Sequence, residues 1–208
     1  MKQMRLFFFL IFLFIVAAQS VSAENKPQWE KEPDVEYVLH IDDFKIPMAV
    51  DKLYQIPKTL TNPKIILKVS PYRVFNYCGI SFNYPEYYEF NPDLENPKCF
   101  CWSMSGESTY IHYYCIRNYQ DSETNKIIDE MMVINDNPPI LNLKTGPVVG
   151  SLEKGRLLGN DYIREDYSFK SDNIRKIISI TCILDKLGLK TQESIDLKSL
   201  IEESLIVN

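Results

Sequence analysis

Residues 75–119 constrain the fold more than any other stretch, because aromatic side chains recur there with a period of two. This block holds 13 of the 21 aromatic residues that follow residue 23, eight of them tyrosine, and only Lys98 and Arg117 are basic. Ile80-Ser81-Phe82-Asn83-Tyr84 alternates as a strand and stops at Pro85. Residues 99–103 and 108–116 read as a hairpin turning through Ser105-Gly106. On the second arm, Ile111, Tyr113 and Cys115 point one way and Tyr110, His112 and Tyr114 the other. Both faces carry aromatic rings, so one stays exposed or is covered by a partner. Tyrosine joins an apolar ring to a polar tip, which suits contact surfaces. Tyr84, Tyr87, Tyr88, Trp102, Tyr110, His112 and Tyr114 are therefore the binding candidates, against ordinary core packing and cross-strand pairing as the alternative.

Around this block the pattern stays strand-like. Residues 35–41 alternate, and Ile65, Leu67 and Val69 share one side of a second run. Pro47, Pro57 and Pro63 break any long helix between them. Residues 162–169 and 174–184 suit two more strands, the second rich in isoleucine. Helical spacing occurs twice. Asp121-Ser122 is a cap candidate before Ile127, Ile128, Met131 and Met132, and Thr191 or Ser194 caps a closing segment with Leu197, Leu200, Ile201 and Leu205. The expected class is α+β, an antiparallel sheet with two or more flanking helices. Its expected division is a signal peptide over 1–23, an extension with one or two strands over 24–70 and an α+β domain over 71–208.

The first 23 residues have the three zones of a secretory signal. Lys2 and Arg5 form a positive head, 6–18 is apolar, and Val21 and Ala23 supply small residues at the cleavage positions. About 13 apolar residues fall short of the roughly 20 that a spanning helix needs. The mature chain is expected to be periplasmic or secreted and not membrane-spanning. Fourteen asparagines without an Asn-X-Ser/Thr acceptor favour a bacterial envelope over a eukaryotic secretory route. Cleavage leaves 21 Lys and Arg against 28 Asp and Glu, a net charge of −7. That balance argues against nucleic acid as a partner, since phosphate binding needs dense positive charge.

Cys78, Cys99, Cys101, Cys115 and Cys182 all lie beyond the leader. In an oxidising compartment they are disulfide candidates, enough for one or two bridges with one thiol left over. The pairing stays open. Cys99-Phe100-Cys101 lacks the two-residue gap that chelating turns prefer, so no metal is expected, and no cofactor motif is present.

Catalytic options are narrow with two histidines, His40 and His112. Cys78 with His112 is the best nucleophile–base pair available, and Glu86, Glu89, Asp93 and Glu95 cluster as carboxylates. Neither has a surrounding signature, and no Gly-X-Ser-X-Gly or His-Glu-X-X-His motif occurs. No catalytic residue is assigned.

Gly79-Ile80-Ser81-Phe82-Asn83-Tyr84-Pro85-Glu86-Tyr87-Tyr88 resembles the opening strand of PsbP/Mog1-like domains, including DcrB-type bacterial envelope proteins. There a strand runs into a proline and then an aromatic. The likeness would cover residues 71–207 and departs from the pattern in its cysteine cluster and in a tyrosine where tryptophan is commoner. It implies a non-enzymatic module that binds another protein, a toxin or an envelope enzyme being the partner in view. The expectation is an exported protein-binding module, with an immunity-type inhibitor of a toxin or hydrolase as its sharpest form. An envelope-assembly or cell-wall-binding protein and a secreted hydrolase are the alternatives.

Overall fold

Strands in this chain pair mostly with their neighbours in sequence, because short turns bring each alternating run back along the one before it. The computed structural model describes residues 27–48, 64–96, 98–117, 137–171 and 173–208. The leader and the helix expected after Asp121 lie outside the described residues. The chain divides into two compact units after Lys31. The first is described only by a 3-10 turn over Gln28–Glu30, and the second is Glu32–Asn208.

The described residues of that second unit form four antiparallel sheets. β1 (Tyr37–Ile41), β2 (Phe44–Met48) and β3 (Ile65–Val69) form a three-stranded sheet in the order β2-β1-β3. β4 (Tyr72–Tyr77) and β5 (Ile80–Pro85) make a hairpin, joined at the far end of the chain by β14 (Ile206–Val207). β6 (Glu89–Asp93), β7 (Cys99–Ser105), β8 (Thr109–Arg117), β11 (Ser151–Leu157), β12 (Asn160–Ser171) and β13 (Ile174–Ile183) form the large sheet, ordered β11-β12-β13-β8-β7-β6. β9 (Ile140–Leu143) and β10 (Gly146–Val149) are a separate hairpin, and α1 spans Gln192–Ser204.

The core lies on one face of the large sheet, called the inner face below. Trp102 and Met104 of β7, Ile111, Tyr113 and Cys115 of β8, Ile178 and Ile180 of β13 and Tyr167 of β12 are buried there. Phe75 and Phe82 of the β4–β5 hairpin and Leu197, Ile201 and Leu205 of the α1 segment cover them. Phe75 is the hub: its ring lies 4.9 Å from Phe82, 5.7 Å from Trp102 and 5.3 Å from Tyr113. The edge-to-face and stacked geometries match the ring quadrupoles and add to the burial term.

Local chemistry sets the connections. The β4–β5 turn is Cys78-Gly79 with φ of 50° and 70°, the doubly left-handed backbone of a type I′ turn. α1 starts at Thr191, whose side chain accepts from the Ser194 N–H at 3.3 Å. In its first turn Glu193 accepts from the Glu107 and Ser108 N–H groups at 3.0 and 2.7 Å and from the Ser108 hydroxyl at 2.6 Å. One carboxylate thus fastens the helix start to the β7–β8 turn.

The α+β class with two or more flanking helices is overturned. Strand accounts for 59 % and helix for 11 % of the structure, with one α-helix among the described residues. The fold is β-rich, and the α+β architecture implied by the PsbP/Mog1 resemblance falls with that class. The cause lies in side-chain type: β-branched and aromatic residues at alternate positions let strands gain cross-strand pairs along their whole length. β12 and β13 accordingly stay paired from Tyr162↔Ile183 to Ser171↔Ile174.

Candidate interaction surface

The three-stranded sheet carries an apolar face that belongs to neither hydrophobic core cluster. Register places Tyr37 beside Met48 and Val69, Leu39 beside Ile46 and Leu67, and Ile41 beside Phe44 and Ile65. Residues paired across an antiparallel sheet share a face, and every second residue along a strand returns to it. These nine side chains therefore form one contiguous apolar block of three rows. Phe44, Ile65, Leu67 and Val69 are half exposed or more, Phe44 reaching 66 %, while Tyr37, Leu39, Ile46 and Met48 are half-buried and Ile41 is buried. The opposite face is mixed, with Val38, His40, Lys45, Pro47, Ile66 and Lys68. Among the described residues β3 is an edge strand, and its only charged residue is Lys68. The other edge, β2, contains Pro47, which lacks a ladder donor. β3 is thus the edge less protected against pairing.

The large sheet offers a second, more polar surface on its outer face. Pairing aligns Asn91, Ser103, His112, Ser179, Asp166 and Ser151 in one row across six strands. An imidazole between two serines, with a carboxylate one strand further, holds the residue types of a proton relay. The contacts differ from a relay. Asp166 accepts from Arg164 at 3.1 Å, and Arg164 also meets Glu153 at 2.6 Å. Among the described residues His112 stacks on Tyr114, centroids 6.1 Å apart at 14°, and no hydrogen bond joins it to either serine. Burial lowers its pKa; Arg164 acts the same way and Asp166 opposes. The stacked imidazole packs the sheet surface.

The seven binding candidates separate into three environments. Tyr84, Tyr88 and Trp102 lie in the core and have essentially no surface for a partner to touch. Their place follows from the same alternation that made them visible in the sequence. Tyr87 is exposed in the β5–β6 turn, its ring 5.1 Å from Tyr88. Tyr110, His112 and Tyr114 lie half-buried on the outer face of the large sheet. Cys78 and His112 are not brought together. Cys78 sits over the inner face, where the Tyr113 hydroxyl donates to its carbonyl at 3.2 Å, and His112 points to the other side. Of the clustered carboxylates, Glu86 meets Arg73 at 3.5 Å, and Glu89 and Asp93 are solvated residues on β6.

All five cysteines are free, with no two sulfurs at bonding distance. Cys99 and Cys101 share the outer face of β7, while Cys115 and Cys182 point to the inner face. No group of three or more potential metal ligands occurs among the described residues. No helix among them is long and apolar enough to cross a membrane.

Sequence reasoning passed over Phe44, Ile46 and Met48, because Pro47 read as a breaker. The available signal was parity: Phe44, Ile46 and Met48 alternate around a proline that an edge strand tolerates. No protein-family model matches this chain, and no curated protein sequence does. Among solved structures, a crystal structure from Bacteroides thetaiotaomicron VPI-5482 is similar at 17 % identity with a TM-score of 0.38, covering 62 % of this chain. The chain spans 45 % of the length of that neighbour.

Proposed function

We propose that this protein is an exported, non-enzymatic binding module that holds another protein through the apolar face of the β1–β3 sheet. The observation that carries the reading is the exposed part of this apolar block, Phe44, Ile65, Leu67 and Val69, of which the last three lie on β3, an edge strand among the described residues. Contiguous exposed apolar surface of this kind marks protein interaction sites in soluble chains. An extended partner segment would add alongside β3 by main-chain hydrogen bonds, and its alternate side chains would cover Ile65, Leu67 and Val69. A toxin or hydrolase acting in the same compartment is the partner class, which makes the protein an immunity-type inhibitor. The unconnected relay row around His112 and the separation of Cys78 from His112 favour binding over catalysis.

The test is titration of the purified chain with secreted toxins or hydrolases encoded beside its gene. A stoichiometric complex by size exclusion is expected, with β3 amides protected from hydrogen exchange. The Leu67→Asp variant should weaken that complex at least 100-fold. A complex of unchanged affinity in that variant would overturn the proposed face. Turnover by the isolated protein, abolished by one side-chain change, would overturn the non-enzymatic reading.

A further inference from the structure

The β4–β5 turn and strand β8 bring two thiols together at a defined place on the inner face. Two hydrogen bonds locate the turn. Tyr113, two residues before Cys115 and on the same face of β8, donates its hydroxyl to the Cys78 carbonyl at 3.2 Å. Lys176, the cross-strand partner of Cys115, donates from Nζ to the next carbonyl, that of Gly79, at 2.8 Å. The Cys78-Gly79 turn is therefore pinned on both sides of Cys115, and Cys78 packs against the core cluster that contains Cys115. Cys78 and Cys115 are thereby neighbours, close enough for each thiol to perturb the ionisation of the other.

Neither Cys78 nor Cys115 has another cysteine within reach among the described residues. Cys99 and Cys101 point to the opposite face of the sheet. Cys182 pairs with Thr109, six positions along β8 from Cys115, which is roughly 20 Å at strand rise. A disulfide needs Cα atoms within about 7 Å.

We propose that Cys78 and Cys115 are a thiol–disulfide exchange site that closes into an intramolecular disulfide when the protein meets a small-molecule disulfide. The Cys78 thiolate attacks one sulfur of the external disulfide, a mixed disulfide forms and one small thiolate leaves. Cys115 then gives up its proton, its sulfur attacks the Cys78 sulfur, and the second small thiolate leaves. Both protein thiols are oxidised, the external disulfide is reduced to two thiols, and two protons pass to the products. Cys78 is the attacking group on structural grounds. It lies at the tip of a two-residue turn and is half-buried, while Cys115 is buried in mid-strand. The neighbouring Cys115 thiol favours the Cys78 thiolate against the effect of burial, and Arg117 and Lys176 add positive charge; the same neighbour and burial push the Cys115 thiol up. The closed bridge would tie β4–β5 to β8 across the sheet layers.

Incubation of the full-length reduced protein with oxidised glutathione, followed by combined tryptic and chymotryptic peptide mapping, tests this. Chymotrypsin is needed because Cys99, Cys101 and Cys115 share one tryptic peptide. The expected result is a loss of two hydrogens and a linked pair containing only Cys78 and Cys115. The Cys182→Ser variant should retain that link, and Cys115→Ser should trap a glutathione adduct on Cys78. A wild-type map in which the linked peptides join other cysteines would overturn the assignment. So would a persistent Cys78 adduct in the wild-type protein. The wild-type map requires no variant to fold.

Discussion

Glu165 is a carboxylate buried on the core side of β12, where three side chains donate hydrogen bonds to it. Lys190 bonds one oxygen; Lys198 at 3.0 Å and the Tyr167 hydroxyl at 2.6 Å bond the other. Burial alone would raise this acid, and the Lys190, Tyr167 and Lys198 contacts outweigh that, so its pKa falls below the usual carboxylate value. A depressed folded-state pKa adds stability above the unfolded value of about 4.3, and that contribution disappears as pH falls through the folded-state value. Glu165→Gln is expected to cost about 2–3 kcal/mol near neutral pH, at the low end for a broken buried pair because both lysines can reach water. Urea melts should show the gap between variant and parent closing as pH is lowered from 5 towards 2. A gap constant across that range would mean that the charge contributes nothing. None of this was legible in the sequence. Glu165, Lys190 and Lys198 are joined by register and helix docking, and no spacing in the chain relates them.

At the scale of elements, turns decide how well each hairpin is closed, and one is visibly suboptimal. β11 and β12 join through Leu158-Gly159 with φ of 50° and 87°, and Leu158 is 95 % exposed. The left-handed region costs an ordinary side chain roughly 1–2 kcal/mol, and no packing at this site repays it. Asparagine tolerates that backbone, and Asn-Gly is the strongest two-residue hairpin signal. Leu158→Asn should therefore raise stability by about 0.5–1 kcal/mol, a fraction of that strain, measured as a shift in urea midpoint at constant slope. A lower midpoint would contradict the turn assignment. The elements themselves were more legible than their assembly. Strands over 80–85, 99–105, 109–117 and 174–183 follow from period-two runs, and the Thr191 cap with Leu197 and Ile201 marks α1. The sequence does not reveal that β8 pairs with β13, a partner beginning nearly sixty residues later, because pairing between distant strands is set by the filling of a common core.

For the whole molecule, two apolar surfaces of similar composition have opposite fates, and their separation is the main thing the sequence leaves hidden. Alternation marked Trp102, Tyr84 and Tyr88 as candidates for contact, yet all three belong to the buried core. The same alternation in 35–41 and 64–69 read as ordinary half-buried strands, yet their shared face lies outside both core clusters. Periodicity shows that a face is apolar; what covers it is a property of the assembled layers. The separation predicts a double dissociation. Trp102 has rings stacked at 5.6 Å on Tyr113 and 5.8 Å on Tyr77, so Trp102→Ala opens a cavity and should cost about 3–5 kcal/mol. Partner affinity per folded molecule should then stay within about threefold, since a variant that still folds retains the β1–β3 face. Leu67→Asp exchanges an exposed apolar side chain for a charged one, and surface changes of this kind stay within about 0.5 kcal/mol. Its effect should fall on binding and on the fluorescence of an apolar dye bound to the native protein. Equilibrium urea melts and titration calorimetry on both variants separate the two surfaces. If Leu67→Asp destabilises the chain as strongly as Trp102→Ala, the β1–β3 face is core, and the interaction surface must be sought around Tyr110, His112 and Tyr114.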